Sequence, residues 1–218
     1  MLKGRAACRG AAAVEFQIVA TLALLPLCLG MLQLALLVTE NHHLDFAAFQ
    51  AARQAAMEQG RLGPARRALA QAASVLFVDA SDEVDADNIA GRVASAYALA
   101  LADQLRFARL RIVSPDADAQ EDFAVVRAGE RVIPNDGLQY RSSATGRRSG
   151  LSIQQASILR LEVSWCRPLV VPLARQILLG ALRTIDADPW HQYCYSEGRV
   201  PVRSESATPM QSDFRVSS

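Results

Sequence analysis

The sequence predicts an α+β protein, in which a long apolar N-terminal helix runs on into a domain of helices packed on a small antiparallel sheet. Three observations lead there. Phe16 to Thr39 is a run of 24 residues without a formal charge, enough in a helix to cross a hydrocarbon core of about 30 Å. From Glu40 to Leu105 the composition favours helix, and from Ala108 onward the apolar period shifts toward two, which is the pattern of half-buried strands. Apolar residues make up 51% of the chain, a composition that can bury a core and argues against disorder.

The first ten residues hold Lys3, Arg5 and Arg9 and no acid, while the rest of the chain carries 20 basic and 22 acidic groups. A nucleic-acid partner would need a concentrated basic stripe, which this distribution does not supply. The same asymmetry orients the apolar run. Three positive charges precede it and Glu40 with two histidines follows it, so residues 1–10 are expected in the cytoplasm and the bulk of the chain in a periplasm-like space. The run exceeds the apolar core of a secretory signal, about 7 to 15 residues, and no small-x-small site follows it, so an anchor is expected. Pro26 and Leu27 suit a lipoprotein site poorly, which leaves Cys28 as a small apolar residue of the helix. Pro26 should bend the span, Gly30 can admit a close neighbour, and Gln33 can hydrogen-bond one. The expected divisions are a basic leader at 1–10, a transmembrane helix at 11–39, a helical extension at 40–60 and a periplasmic α+β domain at 61–218.

The leader ends in Gly10, and the fifth residue after it is Glu15, at the edge of the apolar run. "RGAAAVEF" followed by "VATLALLPLCLGMLQLALL" resembles the TadE-like family of pseudopilins from tight-adherence (Flp) pilus systems. The resemblance implies a pilin-like exported domain, cleavage by a prepilin peptidase between Gly10 and Ala11, and a structural, non-enzymatic role at the bacterial inner membrane. It implies as partners other pilins or pseudopilins, the Tad inner-membrane assembly platform and the lipid bilayer, and it implies no cofactor. Phe16 departs from the tyrosine that often follows the family's glutamate; it keeps the aromatic body and lacks the hydroxyl. The residues support the same reading independently. A carboxylate beside an apolar span costs several kcal/mol unless paired. Cleavage after Gly10 would create an α-amino group at Ala11, about one helical turn from Glu15, in the same subunit or presented by a neighbour. Solvation of Glu15 among lipid head groups is the alternative.

Beyond the span, helical composition continues to Gly60, a suitable C-terminal stop, with Leu44, Ala48, Ala51 and Ala55 forming a seam of mostly small residues. His42 and His43 diverge by about 100° on a helix and make no chelating pair. Pro64 signals a second helix over 64–77, and Asp87 caps a third over 88–105. The acidic stretch 79–87 between them and "DADAQED" at 116–122 lack the spacing of a calcium loop and read as solvated connections. Strands are expected at 110–113, 123–126 and 131–133, before a turn at Asn135-Asp136-Gly137. "RSSATGRRSG" at 141–150 reads as a flexible loop with solvated arginines. "ILRLEVSWC" alternates most cleanly, with Leu159, Leu161, Val163 and Trp165 on one face. After it, "PLARQILLGALRTI" forms an amphipathic helix lying on the domain core or the membrane surface. "DPWHQYCYSEG" reads as an aromatic loop, and "RVPVRSESATPM" as a final edge strand, since Pro201 cannot serve a central ladder.

In an oxidising compartment Cys166 and Cys194, the two cysteines of the exported part, favour a disulfide worth roughly 2 to 4 kcal/mol. The competing reading is a reactive Cys194 thiol assisted by His191. No metal set, phosphate loop or nucleophile elbow is present in the sequence. Two other functions therefore stand beside the pseudopilin reading: an uncleaved membrane-anchored periplasmic binding or scaffold module, and an anchored hydrolase using Cys194 or a serine.

Overall fold

A computed structural model describes residues 9–78 and 89–216, with side chains from Val14 onward. Lys3, Arg5, the acidic stretch 79–87 and the Asp87 cap lie outside the described residues. The chain divides into two compact units, one of residues 1–39 with 167–200 and the other of residues 40–166 with 201–218.

The N-terminal run opens as α1 (Arg9–Val19), passes through a π-helical turn at Ala20–Leu24 and continues as α2 (Leu25–Met57). Pro26 accounts for that turn. It has no N–H to offer Leu22 and its ring crowds that carbonyl. The ladder widens just before it, and the Leu25 N–H donates to Ala20 O, five residues back.

α2 ends in a left-handed pair, Gln59 and Gly60, with φ of 60° and 79°. The Gly60 N–H returns to Ala55 O at 2.8 Å, closing the last turn as a C-terminal glycine does. Gly60 is required twice over, because a Cβ there would also stand 2.4 Å from the Phe214 ring. The remaining helix-end groups are met by the C-terminal segment: Ser212 Oγ accepts from Gln59 N at 2.9 Å and donates to Ala56 O at 3.0 Å.

The seam expected on this helix is real and wider than expected. Leu44, Ala47, Ala48, Ala51, Ala52, Ala55 and Ala56 are all at most 1% exposed. Small side chains let backbones approach closely, so the seam favours helix-on-helix packing at short distance. α3 (Leu62–Ala73) carries Pro64 in its first turn, as expected, and is followed by a 3-10 turn at Ser74–Phe77. α4 (Ile89–Phe107) buries Ala96, Ala100 and Phe107.

β1 (Ala108–Ser114) leads into α5 (Ala117–Phe123), then into β2 (Val125–Arg127) and β3 (Glu130–Ile133). α5 corrects the expectation of a solvated connection at 116–122. Asp116 is its N-cap and accepts from Ala119 N at 2.8 Å, and Asp118 follows in the first turn, where a helix N-terminus favours acids. Asp122, at the other end, fastens the segment expected to be a flexible loop. It accepts from Ser149 N at 2.9 Å, Ser149 Oγ at 2.8 Å and Arg148 N at 3.1 Å. These donors, the Ser149 N–H first among them, hold its carboxyl below the ordinary carboxylate value. Two of the three arginines of that segment are engaged, Arg141 with Asp136 at 3.0 Å and Arg148 with Glu121.

α6 (Ile153–Ala156) is a single turn closed by a capping box of Ser152 and Gln155. It delivers the chain to β4 (Ile158–Pro168), the longest strand together with β5 (Arg199–Pro209). Between them lie α7 (Pro172–Ile185) and α8 (Pro189–Ser196). α8 replaces the expected aromatic loop, since Asp188 caps it through Trp190 N and His191 N and Pro189 occupies its first turn. The chain ends with β6 (Phe214–Arg215), a two-residue strand with no alternation long enough to announce it.

Among the described residues the strands form two three-stranded sheets, β1-β4-β5 and β2-β3-β6. β1 pairs antiparallel with β4 from Ala108↔Trp165 to Ile112↔Leu161, with a register shift before Ser114. β5 lies at an edge, as Pro201 required. Leu159, Leu161, Val163 and Trp165 are fully buried on one face of β4. On the other, Glu162 is held between strands by Arg111 at 2.8 Å and Arg203 at 2.6 Å. Trp165 stacks on Phe77 with ring centroids 6.3 Å apart, and its indole N–H donates to Asp103 at 2.8 Å. That bond satisfies the one polar atom of an otherwise apolar core residue.

Candidate functional site on the N-terminal helix

Gly10 and Ala11 are helical residues of α1. Glu15 follows Ala11 by four residues on the same helix, so about one turn separates them. Glu15 is exposed, and Phe16 beside it is 72% exposed. Neither residue is drawn into the fold.

The apolar side chains beyond Phe16 are equally uncovered. Ile18, Leu22, Leu24, Leu25, Leu27 and Met31 each leave half or more of their surface exposed. In water each such side chain forgoes roughly 1.5 to 3 kcal/mol of burial, and a patch of this size marks a non-aqueous partner. Val14–Met57 is, among the described residues, the one helix long and apolar enough to cross a membrane. Its hydroxyls are turned inward to suit. Thr21 Oγ1 donates to Gln17 O at 2.7 Å and Thr39 Oγ1 to Ala35 O at 3.1 Å, so neither needs water. Cys28 is a free, exposed thiol on this surface.

Gln33 is the exception. It is 1% exposed, and its Oε1 accepts the Val171 N–H at 2.8 Å. Val171 is the N-cap of α7 and has no side-chain cap of its own. The span thus holds the start of α7 through one amide, with Leu169, Val171, Ala174 and Leu179 buried nearby in sequence. Gln33 stands out in the sequence as the polar residue most deeply set in the apolar run, which suggests a hydrogen-bonded neighbour; that the neighbour belongs to the same chain, 138 residues on, has no local signal.

α7 and α8 are joined by a polar turn. Asp186 accepts from Tyr195 Oη at 2.7 Å and from Asp188 N at 3.0 Å, and it pairs with His191 Nδ1 at 2.8 Å. The Asp188 N–H and the Tyr195 hydroxyl hold the Asp186 carboxyl below its ordinary range. Burial first, and Asp186 second, push the Tyr195 phenol up to about 12. Arg183 closes the corner by donating to Tyr195 O at 2.6 Å.

Cys166 and Cys194 are both disulfide-bonded, so Cys194 offers no thiol and the pairing with His191 has no nucleophile. His191 is occupied by Asp186 instead. Among the described residues no group of three histidine, cysteine or acidic side chains is arranged to hold a metal.

Residues 10–53 match the family described as TadE-like protein. The likeness lies in the N-terminal helix and extends over that stretch alone. The matched stretch opens on Gly10 and takes in the exposed apolar run, Gln33 and the first part of the alanine seam. Comparison with curated proteins and with solved structures gave no match.

Proposed function

We propose that this protein is a pseudopilin of a tight-adherence (Flp) pilus system, cut by a prepilin peptidase between Gly10 and Ala11. It is anchored in the inner membrane by its N-terminal helix, with its larger part in the periplasm. The observation that carries the reading is the coincidence of the TadE-like match, beginning at Gly10, with an exposed apolar helix headed by Glu15.

Cleavage removes Lys3, Arg5 and Arg9 and leaves an amine at Ala11, where a negative helix-entry partner is already in place at Glu15. Paired with the amine of a neighbouring subunit, Glu15 sets the stagger between packed helices; an unpaired carboxylate at that depth is disfavoured. The exposed span then packs on the spans of other pilins or of the assembly platform. Cys166 and Cys194 bond to each other, restricting the unfolded chain. The protein is a substrate of the peptidase, not itself an enzyme.

Glu15→Leu tests the pairing. It should leave the protein in the membrane and lower its incorporation into pili or its cross-linking to other Tad components by about tenfold or more; unchanged processing together with unchanged assembly would refute the role given to Glu15.

A further inference from the structure

α7 is apolar on two sides. Ala174 and Leu179 face inward and are buried, whereas Leu173 and Ile177, with Val170 just ahead of the helix, are 36%, 56% and 64% exposed. On a helical wheel Leu173, Ile177, Gly180, Ala181 and Thr184 share one arc without a charge, and Val170 continues it at the entry to the helix. An apolar arc of this kind belongs in an apolar environment, yet nothing among the described residues covers it.

The hydrogen bond to Gln33 says where the arc begins. Any span of about 20 residues chosen within Phe16–Thr39 contains Gln33, roughly two to six residues from its outer end, which is about 3 to 9 Å below that boundary. The Val171 N–H sits at the same level, because Gln33 Oε1 accepts it at 2.8 Å. A backbone N–H so placed has no water to bond, and Gln33 supplies the acceptor. That depth is the one at which amphipathic helices rest, about 5 to 10 Å into the head-group and acyl boundary.

We propose that α7 is a second membrane contact, lying in the interfacial layer of the bilayer crossed by the N-terminal helix, with Val170, Leu173 and Ile177 against lipid. This rests on the anchored reading above. The occupant is lipid because Val170 stands one residue before the N–H that Gln33 of the span accepts, and α7 and the span belong to the same compact unit. In effect, α7 and the bilayer hold the segment 167–200 at the membrane surface.

The full-length protein, reconstituted in vesicles containing anionic lipid, tests this with an environment-sensitive fluorophore on one cysteine at a time. Cys8→Ser leaves the native Cys28 as the span reporter; adding Cys28→Ser with Ile177→Cys gives the α7 reporter, and with Ser142→Cys a reporter on the exported domain. The label at residue 177 should lose most of its emission to nitroxide-bearing lipid and little to aqueous iodide, and the label at Ser142 the reverse. Quenching at Cys28 by nitroxide lipid with none at residue 177 would overturn the α7 contact and leave the anchor standing. Quenching at neither would overturn both. Protection of residue 177 that tracks protein concentration and ignores nitroxide lipid would assign the arc to a second protein chain and equally overturn the proposal.

Discussion

Residues 14–32 and 44–56 belong to one uninterrupted helical run, Val14–Met57, and treat their apolar side chains in opposite ways. In the first stretch the large ones face outward, with Phe16 at 72% and Leu22 at 75% exposure. In the second the small ones face inward, and six alanines are at 0%. Apolar content alone does not separate them. Side-chain size and periodicity do, since a lipid-facing surface needs bulk on every side, whereas a protein-facing seam needs small residues on one side only. The TadE-like match crosses the join, beginning at Gly10, ahead of the first stretch, and ending at Arg53 in the second.

The comparison can be broken at several points. The largest effect is expected at its very start. Gly10→Val should abolish cleavage altogether, visible as retention of the leader by mass or mobility, while the domain formed by residues 40–166 and 201–218 keeps its thermal transition. Next is Trp165→Ala in that domain, which removes a fully buried side chain with a stacked ring and a 2.8 Å hydrogen bond to Asp103. A loss of about 3 to 5 kcal/mol is expected in denaturant titration, with membrane retention unchanged.

A smaller pair of substitutions contrasts the two stretches directly. Ala51→Leu inserts bulk into the closed seam and should cost about 1 to 3 kcal/mol. Leu27→Ala, on the exposed side, should alter the stability of the same domain by less than about 0.5 kcal/mol. Equal losses from the two would mean that the apolar run is buried in the folded chain after all.

The mildest effect is acid-dependent. The Asp122 carboxyl is held below its ordinary value of 3.8, chiefly by the Ser149 N–H. A depressed folded-state value means that its contribution is fully present above the unfolded value and disappears as pH falls through the folded one. The stability gap between the native protein and Asp122→Asn should therefore be constant at neutral pH and narrow below pH 3.8. A gap independent of pH would place the effect in packing of the 146–149 segment, not in the charge.

Much of the first stretch was legible because its signals are local: a charge-free run, a proline, and a glycine five residues before a glutamate. β4 was legible for the same reason, as its alternation extends over nine residues. α5 and α8 depart from the loops expected there: each carries a visible cap, Asp116 and Asp188-Pro189, inside acidic or aromatic composition that by itself resembles a connection. Asp122 shows the complementary limit. Its hydrogen bonds to Arg148 and Ser149 join segments 26 and 27 residues apart, and no local pattern marks the 141–150 segment as fastened. The bond from Val171 to Gln33 is longer-range still, and it ties α7 to the N-terminal helix.

The central claim is that Glu15 serves a newly made amine at Ala11, and the N-terminus of the mature protein tests it most directly. Intact mass with N-terminal peptide sequencing, on protein isolated from cells with an active prepilin peptidase, should find a chain beginning at Ala11. A chain that still begins at Met1 under those conditions would contradict the account.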